Sequence, residues 1–295
     1  MSSTYLVDPG MFPARAEGTP WGGESATLTV AGAEILVVGL SRIQRATLSE
    51  IFQSGGPTTW STPVSVFRVD ASAFREFDRR GWSYSLDFDY GPRHTHIVGM
   101  DWMARIEWSD DALESALWLS TEEPGSFHGA LENFLRVHMA HAMVLRGGLL
   151  VHSAAVLSAA GAAHLFVGPS GAGKSTVARL AQSTGRRVVS DDLNLIAPDF
   201  TLAASPFRSE IGSRESGFHP LRGIYRLVKG TEDTLHPMGE GEALASLVAC
   251  APFVNQSRFL ANRLWSNLEA LSRNAPTSVL TFRREGTFWP LLEKC

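Results

Sequence analysis

GGLLVHSAAVLSAAGAAHLFVGPSGAGKSTVARLAQSTGRRVVSDD, residues 147–192, decides the fold of this chain. Its first 22 residues, 147–168, carry no formal charge and have the length of a membrane span. His152, Ser153, Ser158 and Gly161 interrupt that run, and Ser-Ala-Ala-Gly reads as a turn. Two short buried strands, LLVHSAAVL and AAHLFVG, are therefore expected rather than a helix.

The next residues, Gly168-Pro169-Ser170-Gly171-Ala172-Gly173-Lys174-Ser175-Thr176, satisfy G-x-x-x-x-G-K-[ST]. Glycines let consecutive N–H groups turn inward into an anion nest, and the helix that follows adds its positive end. Lys174 supplies a point charge for the β- and γ-phosphates of a nucleoside triphosphate, and the Ser175 hydroxyl can ligate magnesium. The chain has only three lysines, Lys174, Lys229 and Lys294, against 23 arginines, yet a lysine fills this slot. A helix is expected from Lys174 to Ser183, closed by Gly185.

Asp191 and Asp192 end the short strand RRVVS, 17 residues after Lys174. An Asp-Asp turn or cap would look the same in isolation. Beside a phosphate loop, one carboxylate can hold magnesium while the other takes a proton from an incoming hydroxyl. His152 stands 16 residues ahead of Gly168 on the preceding strand, where a histidine is ordinarily a satisfied core residue.

Working outward, the second half alternates strands and helices: LNLIA, a Gly/Pro/Ser-containing region over 200–221, strand GIYRLV, helices over 242–249 and 256–271, and strand SVLTFRR. The first third reads as β-rich. TLTVAGAEILVVGL, residues 27–40, has apolar runs around an Ala-Gly turn, and a short helix is expected over 46–53. SVFRVD, WSYSLDFDY and HIVGMDWMARIEW alternate at period two. Pro124, Gly125 and Ser126 introduce a helix whose apolar residues recur from Leu131 to Leu145. We expect a mixed α/β (α+β) protein with a smaller β-rich domain at 1–125, for acceptor or partner binding, and an ATP-binding catalytic domain at 126–295.

Composition narrows the function. The 295 residues are 44% hydrophobic with a net charge of −4, which excludes wholesale disorder and gives no global reason to bind nucleic acid. Basic residues are scattered, with no run longer than Arg-Arg. Cys250 and Cys295, the only cysteines, exclude a disulfide framework or a Cys-based zinc site, and Cys250 reads as buried packing. The opening residues show no signal peptide, so a cytoplasmic protein without a membrane partner is expected. His94 and His96 would share a strand face, and His138 and His141 lie three apart on the helix; either pair could bind a metal, but neither has an obvious third ligand nearby. Trp21, Trp60, Trp82, Trp102, Trp108 and Trp118 crowd the N-terminal half, for packing or for an aromatic peptide-binding groove.

Taken together, VHSAAVL, GPSGAGKST and VVSDDLNLI resemble the catalytic domain of HPr kinase/phosphorylase and the HPr-kinase-related proteins, over about 50 residues. The resemblance implies a phosphoenolpyruvate carboxykinase-like core around the phosphate loop. It implies that Lys174 contacts phosphates, Ser175 binds Mg²⁺, and Asp191 accepts a seryl proton. Asp192 joins the metal cluster, His152 is a polar member of it, and Glu210 is the positional match for a further glutamate at the metal. Arg208, Arg214 and Arg222 are candidates for stabilising the transferring phosphoryl group, Arg208 being preferred. The Glu-x-Arg-Gly signature of the bacterial regulators is missing, and the first 120 or so residues do not resemble their N-terminal domain. Neither HPr as acceptor nor reverse phosphorolysis therefore follows.

The expected activity is transfer of the γ-phosphoryl group of ATP, with Mg²⁺, to a serine of a peptide or protein, a modified-peptide precursor being one candidate. The alternatives are an ATP-binding sensor without phosphotransfer and a kinase of free serine or a sugar. Oligomeric state stays open, a homo-oligomer included.

Overall fold

The computed structural model describes residues 9–13, 18–51, 58–74, 86–211 and 217–293. Among these, six α-helices and two eight-stranded sheets make a mixed α+β protein. The chain divides into two compact units between His138 and Met139. That point lies inside a helix whose Phe134 ring meets Trp102 and whose Val144 carbonyl accepts from Asn267.

The first unit contains β1 (Thr19–Pro20), β2 (Glu24–Val30), β3 (Ala33–Leu40), α1 (Arg42–Ile51), β4 (Trp60–Arg68), β5 (Asp87–Tyr90), β6 (His94–Gly99), β7 (Trp102–Trp108), β8 (Leu113–Leu119) and the start of α2 (Pro124–Leu145). Its sheet runs β2-β3-β4-β8-β7-β6-β5, with β1 beside β4; β3, β4 and β8 are mutually parallel and the other pairs antiparallel. The Ala31-Gly32 hairpin forms as expected, both residues having positive φ. HIVGMDWMARIEW is two strands, β6 and β7, turned at Met100-Asp101 with Asp101 at φ 61°. α1 starts earlier than its apolar pattern suggests because Ser41 and Gln44 make a reciprocal cap: Ser41 N–H donates to Gln44 Oε1 at 3.0 Å and Gln44 N–H to Ser41 Oγ at 3.2 Å. α2 begins at Pro124, with the Glu123 carboxylate accepting from the Gly125 and Ser126 N–H groups.

The second unit continues with β9 (Leu149–Leu157), β10 (Ala163–Val167), α3 (Lys174–Ser183), β11 (Val188–Ser190), β12 (Leu193–Ile196), β13 (Thr201–Ala203), β14 (Phe218–Lys229), β15 (Thr234–Pro237), α4 (Glu240–Ala249), α5 (Ala261–Asn274), β16 (Thr277–Phe282) and α6 (Trp289–Glu293). The uncharged 147–168 run is the β9–β10 hairpin, turned where Gly161 N–H donates to Ser158 O. No helix among the described residues is long and apolar enough to cross a membrane. The sheet runs β10-β9-β12-β13-β14-β16-β15, β11 lies beside β9, and β10 also pairs with β14. β9 and β14 each take two sets of partners, so β9, β12, β13, β14 and β10 close into a ring. α3 buries Val177, Ala178 and Ala181 against Phe166, Leu227, Phe282 and Phe288. It ends in a Schellman motif: Arg186 N–H donates to Ala181 O and Gly185 N–H to Gln182 O, with Gly185 at φ 74°. α5 begins at Ala261, later than the expected Gln256, after a turn-rich segment.

Candidate functional site

Strand register brings the chemistry together. Val167, the last residue of β10, pairs with Ser153 on β9 and with Arg226 on β14. His152 and Gly168 are the next residues along β9 and β10, and Lys229 is the last residue of β14, so β10 and β14 both deliver their ends to the loop. On the far side of β9, Leu193 pairs with His152, and Ser153 N–H donates to Asp192 O at 2.9 Å. Thus the phosphate loop, the histidine and the aspartate pair share one end of the sheet. They line a cleft of about 720 Å³ with His152, Ser170, Gly171, Gly173, Lys174, Ser175, Thr176, Asp191, Asp192, Arg208, Ser209, Glu210 and Lys229.

Gly168, Pro169 and Ala172 do not line the cleft, Gly168 being buried and Pro169 exposed. The Gly168 and Pro169 carbonyls accept from Lys174 Nζ at 2.9 and 3.3 Å, and Ala172 packs on the core below. Gly173 has φ 113°, and a Cβ there would stand 2.8 Å from Phe282 Cζ, so the loop's last turn needs glycine twice over. Gly173 also gives the start of α3 no side-chain cap. Burial pulls the Lys174 ammonium below its usual range, while Cys250 and Asp192 favour its charged form.

Asp191 is buried, and its Oδ1 accepts from Ile211 N–H at 3.1 Å. Asp192 is half-exposed, and its Oδ1 lies 3.0 Å from His152 Nδ1. The same nitrogen is 2.9 Å from the Asp192 carbonyl, so an Nδ1–H proton is shared between two oxygens of one residue. The ring is thereby oriented with its other edge available to the cleft.

Residues 208–210 approach from the segment that Ile211 ties to Asp191. Glu210 is largely exposed at the rim, 3.3 Å from Arg179 on α3. Arg208 lines the cleft and is exposed. Arg222 does not: it precedes Gly223, the β14 partner of His164, at the far end of β10. Seven residues of extended chain separate it from Lys229, or about 23 Å. Arg214, Trp82 and Cys295 lie outside the described residues. Lys229 and Ser209 join the cleft without having been expected, although the scarcity of lysine was a signal for Lys229. Cys250 caps α4 and is buried, with Sγ 3.8 Å from Gly168 O; burial raises its thiol.

Elsewhere, Trp102 and Trp118 are buried in the first unit, and Trp21, Trp60 and Trp108 are half-buried. His138 Nδ1 is hydrogen-bonded to Ser115 Oγ at 2.9 Å, both side chains being buried. His94 and His96 do share a face, and the third group their spacing failed to supply, Asp89, comes from the neighbouring strand.

Comparison with curated proteins finds no match. Residues 131–295, more than half of the chain, match the family described as SynChlorMet cassette protein ScmC. The chain belongs to that family.

Proposed function

We propose that this member of the ScmC family is an ATP-dependent kinase that moves the γ-phosphoryl group of ATP to a hydroxyl, a serine of a peptide or protein, with Mg²⁺. The observation that carries this reading is the convergence of the phosphate loop, Lys174 and the Asp191–Asp192 pair on one cleft. Neither the loop nor the acidic pair alone would distinguish nucleotide binding from group transfer.

The donor set fits magnesium. Ser175, Asp192 and Glu210 present hard oxygens, and no thiolate or imidazole is needed to complete a shell. Mg²⁺ held there would offset phosphate charge. The protein's own part is alignment and electrostatics. Loop N–H groups and the start of α3 hold the phosphates, and Lys174 adds its positive charge. Asp191, oriented by Ile211 N–H, takes the acceptor's proton as the acceptor oxygen forms the new P–O bond and ADP departs with the electrons of the broken one. His152 steadies Asp192. Arg208 and Lys229 supply positive charge at the outer wall.

The same reading takes the second unit as a phosphoenolpyruvate carboxykinase-like core of the HPr-kinase-related type. Two features support it: β10 has an antiparallel neighbour on one side, unlike an all-parallel doubly wound sheet, and the acidic pair follows the loop by one helix and one strand.

The test is transfer from γ-labelled ATP with Mg²⁺, comparing wild type with Asp191→Asn. Acceptors are seryl peptides, free serine, HPr and peptides encoded beside the gene. Label on a peptide acceptor, reduced roughly 100-fold or more in the variant while ATP still binds, is the expected result. Undiminished transfer by Asp191→Asn refutes the assigned base, and ATP binding without transfer to any acceptor makes the protein a nucleotide sensor.

A further inference from the structure

The geometry points to a divalent transition-metal site on the sheet of the first unit, made by Asp89, His94 and His96, none of which lines the phosphate cleft. Asp89 on β5 is the antiparallel partner of His96 on β6, and His94, two residues earlier on β6, projects from the same face. Asp89 Oδ2 lies 3.3 Å from His96 Nδ1 and 4.0 Å from His94 Nε2, and the three ligand atoms all fall within 4.8 Å of one another. Two ligands on a tetrahedral ion with bonds of ~2.0–2.1 Å stand about 3.4 Å apart. One pair already has that spacing, and the others close up with rotation of half-exposed side chains.

Two imidazoles and a carboxylate suit zinc or a similar borderline ion rather than magnesium or calcium. Three protein ligands leave a position for water, and the exposure of Asp89 and His94 gives solvent access to it. The ion would clip β5, the end strand of its sheet, to β6.

One neighbour, Arg105, opposes the ion. Arg105 Nε–H donates to His96 Nε2 at 3.0 Å, while His96 Nδ1 faces Asp89. Once Nδ1 is given to a metal, Nε2 carries its own proton and cannot accept that bond. The guanidinium must shift, and it keeps a seat over the Trp118 and Phe12 rings, whose centroids are 5.7 and 6.0 Å away. Arg105 therefore competes with the ion for His96.

The experiment titrates the full-length protein with Zn²⁺ against a chromophoric chelator, with millimolar Mg²⁺ present throughout to occupy hard-oxygen sites. One equivalent should bind, His94→Ala and Asp89→Asn should each weaken it at least about tenfold, and Arg105→Met should tighten it. Co²⁺ substituted for zinc should give the visible absorption of a nitrogen- and oxygen-ligated ion in wild type and lose it in His94→Ala, a half-exposed substitution that leaves the core intact. Absence of stoichiometric zinc binding overturns the inference. So does zinc binding that His94→Ala and Asp89→Asn leave unchanged.

Discussion

His164 gives the second unit a pH dependence that can be calculated. The side chain sits on β10 at the end remote from the loop, 3% exposed, with Nδ1 3.1 Å from the Tyr225 hydroxyl. Burial, reinforced by Arg222 and Arg186 and opposed by Glu293, pulls its pKa down to about 4. The folded chain therefore binds fewer protons here than the unfolded chain, whose histidine titrates near the ordinary value of about 6.5. This site is neutral to stability above pH 6.5, costs stability as pH falls through that value, and reaches its full cost below about 4. The gap corresponds to about 3 kcal/mol at the limit and roughly 2 kcal/mol by pH 5. His164→Asn keeps an acceptor for Tyr225 and removes the titration; any packing loss it causes is independent of pH. Urea unfolding of both proteins at pH 7, 6, 5 and 4.5 should show the wild type losing roughly 2 kcal/mol more than the variant between pH 7 and 5. Parallel stability curves would refute the assignment of a buried neutral histidine.

Gly173→Ala forces a Cβ against Phe282 at a φ of 113°, and should cost about 1–3 kcal/mol with a matching loss of nucleotide affinity, read by urea unfolding and nucleotide titration. Gln44→Ala removes half of the reciprocal cap on α1 and should destabilise the first unit by about 1 kcal/mol, visible as a lower urea midpoint. Lys229→Met should weaken nucleotide binding several-fold, on the order of 1 kcal/mol, with more effect at low than at high salt; unchanged affinity would remove Lys229 from the phosphate wall.

The phosphate loop, its flanking strand and helix, and the Ala31-Gly32 hairpin are legible because each is a local pattern: glycine spacing, an apolar run, a two-residue turn. The aspartate pair is legible for the same reason, since one helix and one strand return it to the loop. Lys229 and Asp89 are not, because each reaches its neighbours across a sheet. Lys229 ends β14, a strand far from the loop in sequence that reaches the cleft through its parallel pairing with β10, and Asp89 meets His96 only through the β5–β6 register. The misplaced start of α1 is different. Ser41 and Gln44 spell its cap in the sequence, but Gln44 is polar and fully buried, so the apolar pattern begins too late to reveal it. Arg222 reads as a cleft residue from its nearness to Glu210 in sequence, and strand direction carries it away.

The ring formed by β9, β12, β13, β14 and β10 has consequences for how the protein folds. The β9–β10 hairpin closes a short loop, so His152 and the phosphate loop meet early. The β9–β12 contact then adds the aspartates at modest entropic cost. Parallel pairing of β10 with β14 joins strands far apart in sequence and is the entropically costlier closure. A chain in which that seam is open keeps the β9 side of its cleft but lacks the side bearing Lys229. A nucleotide that needs both sides would speed arrival at the native state only if it engages the first side before the second is in place.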